Sequence, residues 1–171
     1  MRPRLRLRYD EVSSPIGRIL VALLDEQLAA LDFEGHDDRL HRLLERRFGP
    51  YVFSNEHNPA GISVAVSNYF DGDLSALETI PLALHGSPFQ ERAWQALRTI
   101  PPGHCATYAA QALKIGAPRA ARAVGHANAL NPVAIAVPCH RVIGSSRSLT
   151  GYAGGLDRKR WLLTHEGVDL E

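Results

Sequence analysis

The sequence lacks the long apolar runs and biased tracts that mark membrane, secreted or fibrous proteins. Its longest uninterrupted apolar run, Ile19 to Leu24, is far shorter than the roughly 20 residues that span a bilayer. The basic segment Met1 to Tyr9 alternates arginine with leucine, so it lacks the apolar core of a secretory signal. There is no low-complexity tract, and 45% of the 171 residues are hydrophobic. These features predict a globular, cytoplasmic protein with no membrane partner.

Cysteine is also scarce, because Cys105 and Cys139 are the only two. Two thiols suit a reducing compartment and are too few for a Cys-rich structural zinc site. We therefore predict neither disulfides nor a bound metal.

Acidic charge is scarce in the second half of the chain. Residues 1–84 carry 9 basic and 13 acidic side chains, a net charge of −4, whereas residues 85–171 carry 10 and 5, a net charge of +5. The second half is therefore a candidate for binding a polyanion, although small domains also differ in charge by chance.

Apolar spacing predicts an α+β protein with an N-terminal domain over residues 1–80 and a C-terminal domain over 85–171. In the first domain, alternation and β-branched residues predict a three-stranded sheet, with strands at 5–9, 18–24 and 28–33. Helical spacing predicts helices at 40–48 and 62–70, the second of which fits a strand almost equally well. Nothing in this half converges on chemistry, so its predicted role is structural.

The C-terminal domain is predicted to be mostly helical. Ser87, Pro88 and Gln90 form the pattern of a capping box at the start of one helix. Two short helices, at 108–115 and 118–127, are joined by a Gly-Ala-Pro turn and have the proportions of a winged helix-turn-helix unit. The continuous apolar run at 133–137 predicts a buried strand, and a last helix is predicted to begin at Asp157 with a staple between Leu156 and Trp161.

Cys139 and His140 follow the predicted buried strand directly and suggest a nucleophile with its base. A thiolate attacks, and an imidazole can take up its proton. Neighbours on a strand point to opposite faces, so the pair requires a turn at Pro138 or a bridging water. Glu166 is a suitable carboxylate for orienting the imidazole. The competing interpretation is structural, since free cysteine is among the most buried residue types, and we assign Cys105 to it.

Several motifs in this half resemble the O6-alkylguanine-DNA alkyltransferase family, in its bacterial stand-alone form. They are Asn131-Pro132, the run from Val137 to Gly144 that contains Pro138-Cys139-His140-Arg141, Gly151 to Gly155, Lys159, Trp161 to Leu163, His165 to Gly167, Thr107-Tyr108, and Ala120 to Gly125. The resemblance is dense over residues 87–167 and holds only in outline over residues 1–72.

The resemblance implies that a helix-turn-helix unit enters the minor groove and that a damaged guanine is flipped into a pocket. Arg122 would fill the gap left in the base stack, and Tyr108 would push the nucleotide outward. The implied DNA-binding residues are Tyr108, Ala121, Arg122, Ala123, Gly125 and Arg141.

The same resemblance implies a single-turnover transfer of the alkyl group to Cys139, with no cofactor. His140 would act through a water, Glu166 would orient it, Asn131 would hold the turn, and Tyr108 would donate to the departing base. The implied base pocket consists of Cys139, Val142, Tyr152 and Ala153. The expected partner is duplex DNA that contains O6-alkylguanine, with O4-alkylthymine as a second candidate substrate, and the expected state is a monomer.

The sequence departs from the family at three places. His126 and Leu130 are bulkier than usual at the end of the recognition helix, His104-Cys105 replaces acidic and hydroxyl residues, and the zinc ligands of some members are missing. Three other functions compete with repair: a non-catalytic binder of the same base, a cysteine hydrolase that uses Cys139 and His140, and a helix-turn-helix regulator.

Overall fold

The structure is a computed structural model that describes residues 3–170. The chain divides into two compact units, Met1–His85 and Gly86–Glu171. Within the described residues, no helix has the length and apolar character needed to cross a membrane.

The first unit is a sheet with helices packed on it. Its strands are β1 (Leu5–Val12), β2 (Ile19–Leu24), β3 (Gln27–Phe33) and β4 (Tyr51–Asn55), and its helices are α1 (Asp37–Phe48) and α2 (Ile62–Phe70). The strand order is β3-β2-β1-β4. Neighbours β1, β2 and β3 are antiparallel, whereas β4 runs parallel to β1.

The prediction of a three-stranded sheet is therefore wrong, because β4 adds a fourth strand. This strand has only five residues and pairs with a strand near the start of the chain, so the pairing forms in three dimensions without a local sequence signal. The helical interpretation of residues 62–70 is confirmed. Helix α1 buries Leu40 and Leu44 in a core with Leu7 and Leu20 of the sheet.

Over residues 86–170, the second unit contains four α-helices and two very short strands. They are α3 (Pro88–Leu97), β5 (Ala106–Thr107), α4 (Tyr108–Lys114), α5 (Ala121–Ala129), β6 (Val142–Ile143) and α6 (Leu156–His165). The capping box at the start of α3 is confirmed: the Ser87 hydroxyl accepts from the Gln90 amide, and the Gln90 side chain accepts from the Ser87 amide. Strands β5 and β6 pair in parallel.

Buried polar contacts fix α5 against its neighbours. Trp94 Nε1 on α3 donates to the Ala127 carbonyl at 2.8 Å. Gln111 on α4 and Asn128 on α5 exchange two amide hydrogen bonds, of 2.9 and 2.8 Å. Because buried amides are costly to leave unpaired, these bonds specify how the two helices meet.

The predicted strand at 133–137 is wrong. This run is buried throughout but forms successive turns, with Ile135 in the left-handed region at φ 68. Prolines at 132 and 138 flank it, and a proline cannot donate to a strand ladder. A short continuous apolar run indicates burial without distinguishing the backbone conformation, which explains the error.

Two predicted helix starts are also wrong. Helix α5 begins at Ala121, three residues after the predicted start, and α6 begins at Leu156 with Gly155 as its N-cap. Leu156 is the first residue of α6, so it does not occupy the position before the N-cap that the predicted staple with Trp161 requires. Asp157 instead lies in the first turn of α6, where its charge is favourable beside the helix N-terminus.

Candidate active site

Cys139 begins a single 3-10 turn, Cys139–Arg141, which directly follows the buried turns of residues 133–137. Its side chain is buried, and it lines a cavity of about 310 Å³. The residues that line this cavity are Tyr108, Gly125, Asn128, Ala129, Cys139, Gly151, Tyr152 and Ala153. Because the segment turns at Pro138, Cys139 and His140 are not held on opposite faces of a strand.

Asn131 holds the thiol and the turn together. Its Nδ2 donates to the Val137 carbonyl at 2.7 Å and lies 3.2 Å from Cys139 Sγ. Its Oδ1 accepts from the Val133 amide at 3.0 Å. A buried amide with these contacts fixes the position of the sulfur atom, which agrees with the role expected for Asn131.

His140 and Glu166 form a buried pair behind Cys139. His140 Nε2 lies 3.0 Å from each carboxylate oxygen of Glu166, and both side chains are fully buried. Arg141 donates to the same carboxylate through Nε and Nη2, both at 2.8 Å. Glu166 therefore receives hydrogen bonds from both neighbours.

This arrangement fixes the charge of the carboxylate and the tautomer of the imidazole. Burial alone would raise the pKa of Glu166, but the hydrogen bonds from Arg141 and His140 lower it far below its usual range. Since Glu166 is ionised, the hydrogen of neutral His140 lies on Nε2. Burial lowers the pKa of His140, against the opposing effect of Glu166. Nδ1 is therefore an unprotonated base, and it has no hydrogen-bond partner among residues 3–170.

Arg141 does not lie where a DNA contact requires it, so its predicted role in DNA binding is wrong. Its side chain is buried, and its Nη1 donates to the Ile100 carbonyl at 2.6 Å while its other donors bind Glu166. The resemblance implied DNA binding for Arg141, whereas the carboxylate that binds its side chain comes from 25 residues further along the chain.

Val142 belongs to the expected base pocket through its backbone carbonyl, as an acceptor for the guanine amino group, and that role stays a prediction. Its side chain is fully buried, it is not one of the residues that line the cavity, and its carbonyl accepts from Lys159 Nζ at 2.6 Å. The other three residues predicted for the pocket, Cys139, Tyr152 and Ala153, do line it.

Tyr108 lines the same cavity. It begins α4, where the Thr107 hydroxyl caps the helix by accepting from the Ala110 amide. Its hydroxyl lies 3.4 Å from the carbonyl oxygen of Thr150, the residue before Gly151, which also lines the cavity. Gly125 of α5 faces its ring, since a Cβ at Gly125 would lie 3.6 Å from Tyr108 Cδ1.

The outer surface of α5 carries small residues together with Arg122 and His126. Arg122, Ala123 and His126 are exposed, Ala121 and Gly125 are partly exposed, and Val124 is buried in the core. Arg122 therefore projects from a surface of small residues, and the bulkier His126 lies one turn further along the helix.

Sequence reasoning missed the roles of three residues near the cavity: Asn128, Ala129 and Lys159. Lys159 is fully buried, although lysine rarely is. The spacing of α6 contained a signal for it, because Lys159 lies three and four residues before the buried Leu162 and Leu163, and seven before Glu166. These four residues share one helix face.

The second cysteine lies in a different environment. Cys105 packs against a core of Ile143, Leu163 and Val168, and burial raises its thiol pKa. A raised pKa disfavours the reactive thiolate. Among residues 3–170, no group of three or more His, Cys, Asp or Glu side chains could hold a metal ion.

A buried thiol at a cavity, backed by a histidine and an ionised glutamate, defines a protein with a cysteine nucleophile. Comparison with known protein families shows to which family it belongs. The ribonuclease-like domain of 6-O-methylguanine DNA methyltransferase matches residues 7–84, and the DNA binding domain of the same protein matches residues 88–168. The chain belongs to the 6-O-methylguanine DNA methyltransferase family.

Individual relatives agree with the family assignment. The chain is 47% identical over 170 residues to the methylated-DNA–protein-cysteine methyltransferase of Salmonella typhimurium, covering 97% of this chain and 99% of the relative. It is similar to the crystal structure of Mycobacterium tuberculosis OGT in complex with DNA, with 41% identity, a TM-score of 0.77, and coverage of 93% and 92% of the two chains. The Pyrococcus kodakaraensis O6-methylguanine-DNA methyltransferase shares the fold at 22% identity, with a TM-score of 0.72 and coverage of 95% and 99%.

Proposed function

We propose that this protein repairs duplex DNA by transferring the alkyl group of O6-alkylguanine to Cys139, in one irreversible turnover. The observation that carries the proposal is the Cys139 thiol on the wall of a cavity, with His140 and Glu166 buried behind it. The cavity volume of about 310 Å³ lies at the lower end of the ~300–1,000 Å³ range of small-molecule sites, which suits a single base. Relatives with the corresponding name and fold support the same activity.

Deprotonation of the thiol is the first chemical step. His140 Nδ1 accepts the proton of Cys139 through one water molecule, because Nδ1 is the basic atom of the imidazole and makes no hydrogen bond to any residue from 3 to 170. Glu166 stabilises the imidazolium that forms. Arg141 keeps Glu166 ionised and in place, so Arg141 acts by positioning the carboxylate.

Alkyl transfer is then a substitution at carbon. The thiolate of Cys139 forms a new S–C bond as the bond between that carbon and guanine O6 breaks. The departing base takes the electron pair, and the Tyr108 hydroxyl donates a hydrogen bond to it, which is an electrostatic contribution that requires no cofactor. A thioether is not readily hydrolysed, so each protein molecule accepts one alkyl group.

DNA binding and base flipping involve the outer surface of α5. Small residues at 121, 123 and 125 let the helix backbone approach the floor of a narrow minor groove. Arg122 inserts into the space of the extruded nucleotide, and the net charge of +5 on residues 85–171 attracts the phosphates. In this proposal α4 and α5 form a winged helix-turn-helix unit, and O4-alkylthymine is a secondary substrate.

One chain is sufficient for this chemistry, since the residues around the thiol all come from the second unit. We therefore propose that the protein acts as a monomer. We also propose the cytoplasm as its compartment, where free thiols such as Cys139 and Cys105 stay reduced. The first unit, residues 1–85, has a structural role.

Intact-mass analysis tests this function directly. After incubation with duplex DNA that carries one O6-methylguanine, the protein should gain the mass of one methyl group, and peptide mapping should locate it on Cys139. Cys139→Ala should gain nothing but still bind the alkylated duplex, whereas Cys105→Ser should react like the parent. Methylation of Cys105, or repeated turnover without a mass change, would contradict the proposal.

A further inference from the structure

Asn128 on α5 is a buried amide that lines the cavity, and it has no role in the alkyl transfer described above. Only 7% of the residue is exposed. Gly125 and Ala129 of the same helix also line the cavity but carry no polar side chain, so Asn128 supplies the polar group on this side. Burial of an amide is costly unless its donors and acceptors find partners.

Gln111 of α4 satisfies part of this amide. Gln111 Nε2 donates to Asn128 Oδ1 at 2.9 Å, and Asn128 Nδ2 donates to Gln111 Oε1 at 2.8 Å. The second hydrogen of Gln111 Nε2 is used as well, because Nε2 also donates to the Ala93 carbonyl at 3.1 Å.

One hydrogen of Asn128 Nδ2 is left over. In a pair of amides joined by two hydrogen bonds, each amide donates the hydrogen that lies on the same side as its own oxygen. Since the group is planar and carries two donor hydrogens, the second hydrogen of Asn128 Nδ2 points away from Gln111. Within residues 3–170, Nδ2 has no second acceptor. Asn128 therefore keeps one unused donor at a buried position that lines the cavity.

Asn128 also lies close to the thiol. The Asn131 backbone amide donates to the Asn128 carbonyl at 3.1 Å, and the Asn131 side chain lies 3.2 Å from Cys139 Sγ. Asn128 and Cys139 line the same cavity. Asn128 therefore belongs to the part of the cavity in which the alkyl group reacts.

The geometry of the substitution determines where a longer alkyl group lies. Attack at carbon requires Sγ, the reacting carbon and guanine O6 to lie nearly in line. Any further atoms of the alkyl chain must leave this line sideways, toward the residues around Cys139. These residues include Asn128 on α5 and the segment 151–153. A methyl group has no further atoms and ends at the reacting carbon.

We propose that Asn128 is a specificity-determining residue, whose unused N–H donates to an acceptor atom of the alkyl chain beyond the reacting carbon. The favoured substrates are guanines whose O6-alkyl group carries an oxygen, such as hydroxyethyl, over apolar groups of the same length, such as propyl. A site with a buried donor discriminates against an analogue that lacks the acceptor, because the donor then stays unpaired. This proposal rests on the proposed function and concerns the choice of alkyl group.

The test compares the parent with the double variant Gln111→Met and Asn128→Leu, which replaces both amides by apolar side chains of similar size. Changing both partners avoids leaving one buried amide unpaired. Single-turnover rates are measured at saturating duplex DNA that carries O6-hydroxyethylguanine, O6-propylguanine or O6-methylguanine. The ratio of the hydroxyethyl rate to the propyl rate should fall about ten-fold in the double variant, as expected for the loss of one hydrogen bond. The rate of methyl transfer should change little.

The control is the double variant Gln27→Met and Asn68→Leu, which makes the same two chemical changes at exposed positions of the first unit. It should leave the ratio of the hydroxyethyl rate to the propyl rate unchanged. Because each ratio is taken within one protein, differences in intrinsic reactivity between the two substrates cancel when the proteins are compared.

Each other outcome has a definite meaning. An unchanged ratio in the cavity variant would overturn the proposal, as would equal losses on all three substrates, which would assign the amide pair to folding or to binding of the base. If that variant does not fold, Gln111→Leu with Asn128→Ala takes its place, and failure of both to fold would also overturn the proposal. A parent protein that transfers no methyl group would contradict the proposed function itself, whereas an unchanged ratio in an active parent and variant refutes only the role of Asn128.

Discussion

The charge state of Glu166 controls the chemistry of the site at the level of single residues. Two donors from Arg141 and one from His140 keep it ionised, and an ionised Glu166 in turn fixes the tautomer of His140. The base that remains, Nδ1, owes its availability to a carboxylate on the far side of the ring. In the proposed mechanism, Glu166 therefore acts on the thiol only through His140.

This dependence predicts that substitutions of His140 and Glu166 are not additive. His140→Ala and Glu166→Gln should each slow transfer by roughly 10²–10⁴-fold, the usual value of a positioned proton transfer. The double variant should be no slower than about the slower single variant, because both remove the same step. Single-turnover rates of the four proteins on one alkylated duplex measure this. Losses that multiply in the double variant would show that the two residues act independently.

The same pair should make stability depend on pH. In the folded protein, the pKa of Glu166 is lowered from 4.5 and that of His140 from 6.5. At a pH between the folded-state pKa and the unfolded-state pKa of either group, the folded protein therefore binds fewer protons than the unfolded protein. The stabilisation is complete above about pH 6.5 and is lost as the pH falls, first through His140 and then, below about pH 4.5, through Glu166.

Urea denaturation at a series of pH values tests this expectation. Glu166→Gln should lose about 3–5 kcal/mol at pH 7, since Arg141 is left buried without its carboxylate. Its remaining stability should change less than that of the parent below pH 4.5. Glu45→Gln, at an exposed position of α1, serves as the control and should behave like the parent. A parental acid dependence in Glu166→Gln would show that other groups cause it.

At the scale of elements, α6 supports the site from two ends. Lys159 near its start donates to the Thr150 carbonyl, and Glu166 at its C-cap is hydrogen-bonded to His140. Both polar side chains lie on the helix face that also buries Leu162 and Leu163. One helix therefore contacts both the segment that lines the cavity and the histidine behind Cys139.

Substitution of Gly125 on α5 should have opposite effects on stability and on the rate of alkyl transfer. A methyl group there would lie 3.6 Å from Tyr108 Cδ1, an ordinary contact, so the fold has room for alanine. Gly125→Ala should stabilise the helix by up to about 1 kcal/mol yet slow the reaction, because the methyl group would occupy the cavity beside Tyr108. Urea denaturation and single-turnover rates provide the two measurements.

Gly116 provides the contrast at the end of α4. Its φ of 75 is strained for a side chain, so Gly116→Ala should destabilise the protein. Unchanged reactivity in Gly125→Ala would mean that the base does not approach α5 at this point.

Local signals in the sequence predicted the elements well, and tertiary contacts account for most of the errors. The capping box at Ser87 and the helix at 62–70 follow from residues close together in the chain. In contrast, β4 exists because of a distant partner, and the run at 133–137 folds into turns that Asn131 holds through its side chain. Hydrophobicity predicted that this run is buried but could not predict its path.

The predictions for the candidate site divide in the same way, between what local residues indicate and what depends on tertiary contacts. Cys139, His140 and Glu166 were identified from their residue chemistry and Asn131 from motif resemblance, and the structure brings all four together. Arg141 was misassigned and Lys159 had no assigned role, because the function of a charged side chain depends on what surrounds it. Charge is visible in sequence, whereas burial of that charge depends on the packing of the whole unit.

At the scale of the whole molecule, two groups of residues should differ in whether they affect the reaction with every substrate or only the reaction with duplex DNA. The residues that line the cavity act on any substrate that reaches Cys139, while the outer surface of α5 acts only on DNA. Arg122 is exposed on that surface among small residues, and it lines no part of the cavity. Its contribution should therefore depend on whether the base must leave a duplex.

We expect Arg122→Ala to lose most of its rate on duplex DNA and to react with free O6-benzylguanine almost as fast as the parent. Arg119→Ala, which removes an exposed arginine just before α5, is the control. If Arg119 contacts only phosphate, its loss should weaken binding to every duplex and reduce the slope of log K against log salt by about 0.9, without changing the rate of the bound complex. Single-turnover rates at saturating DNA and several salt concentrations separate the two effects. Equal losses on duplex and free base in Arg122→Ala would mean that Arg122 supports the fold or the cavity, and its insertion into the duplex would be excluded.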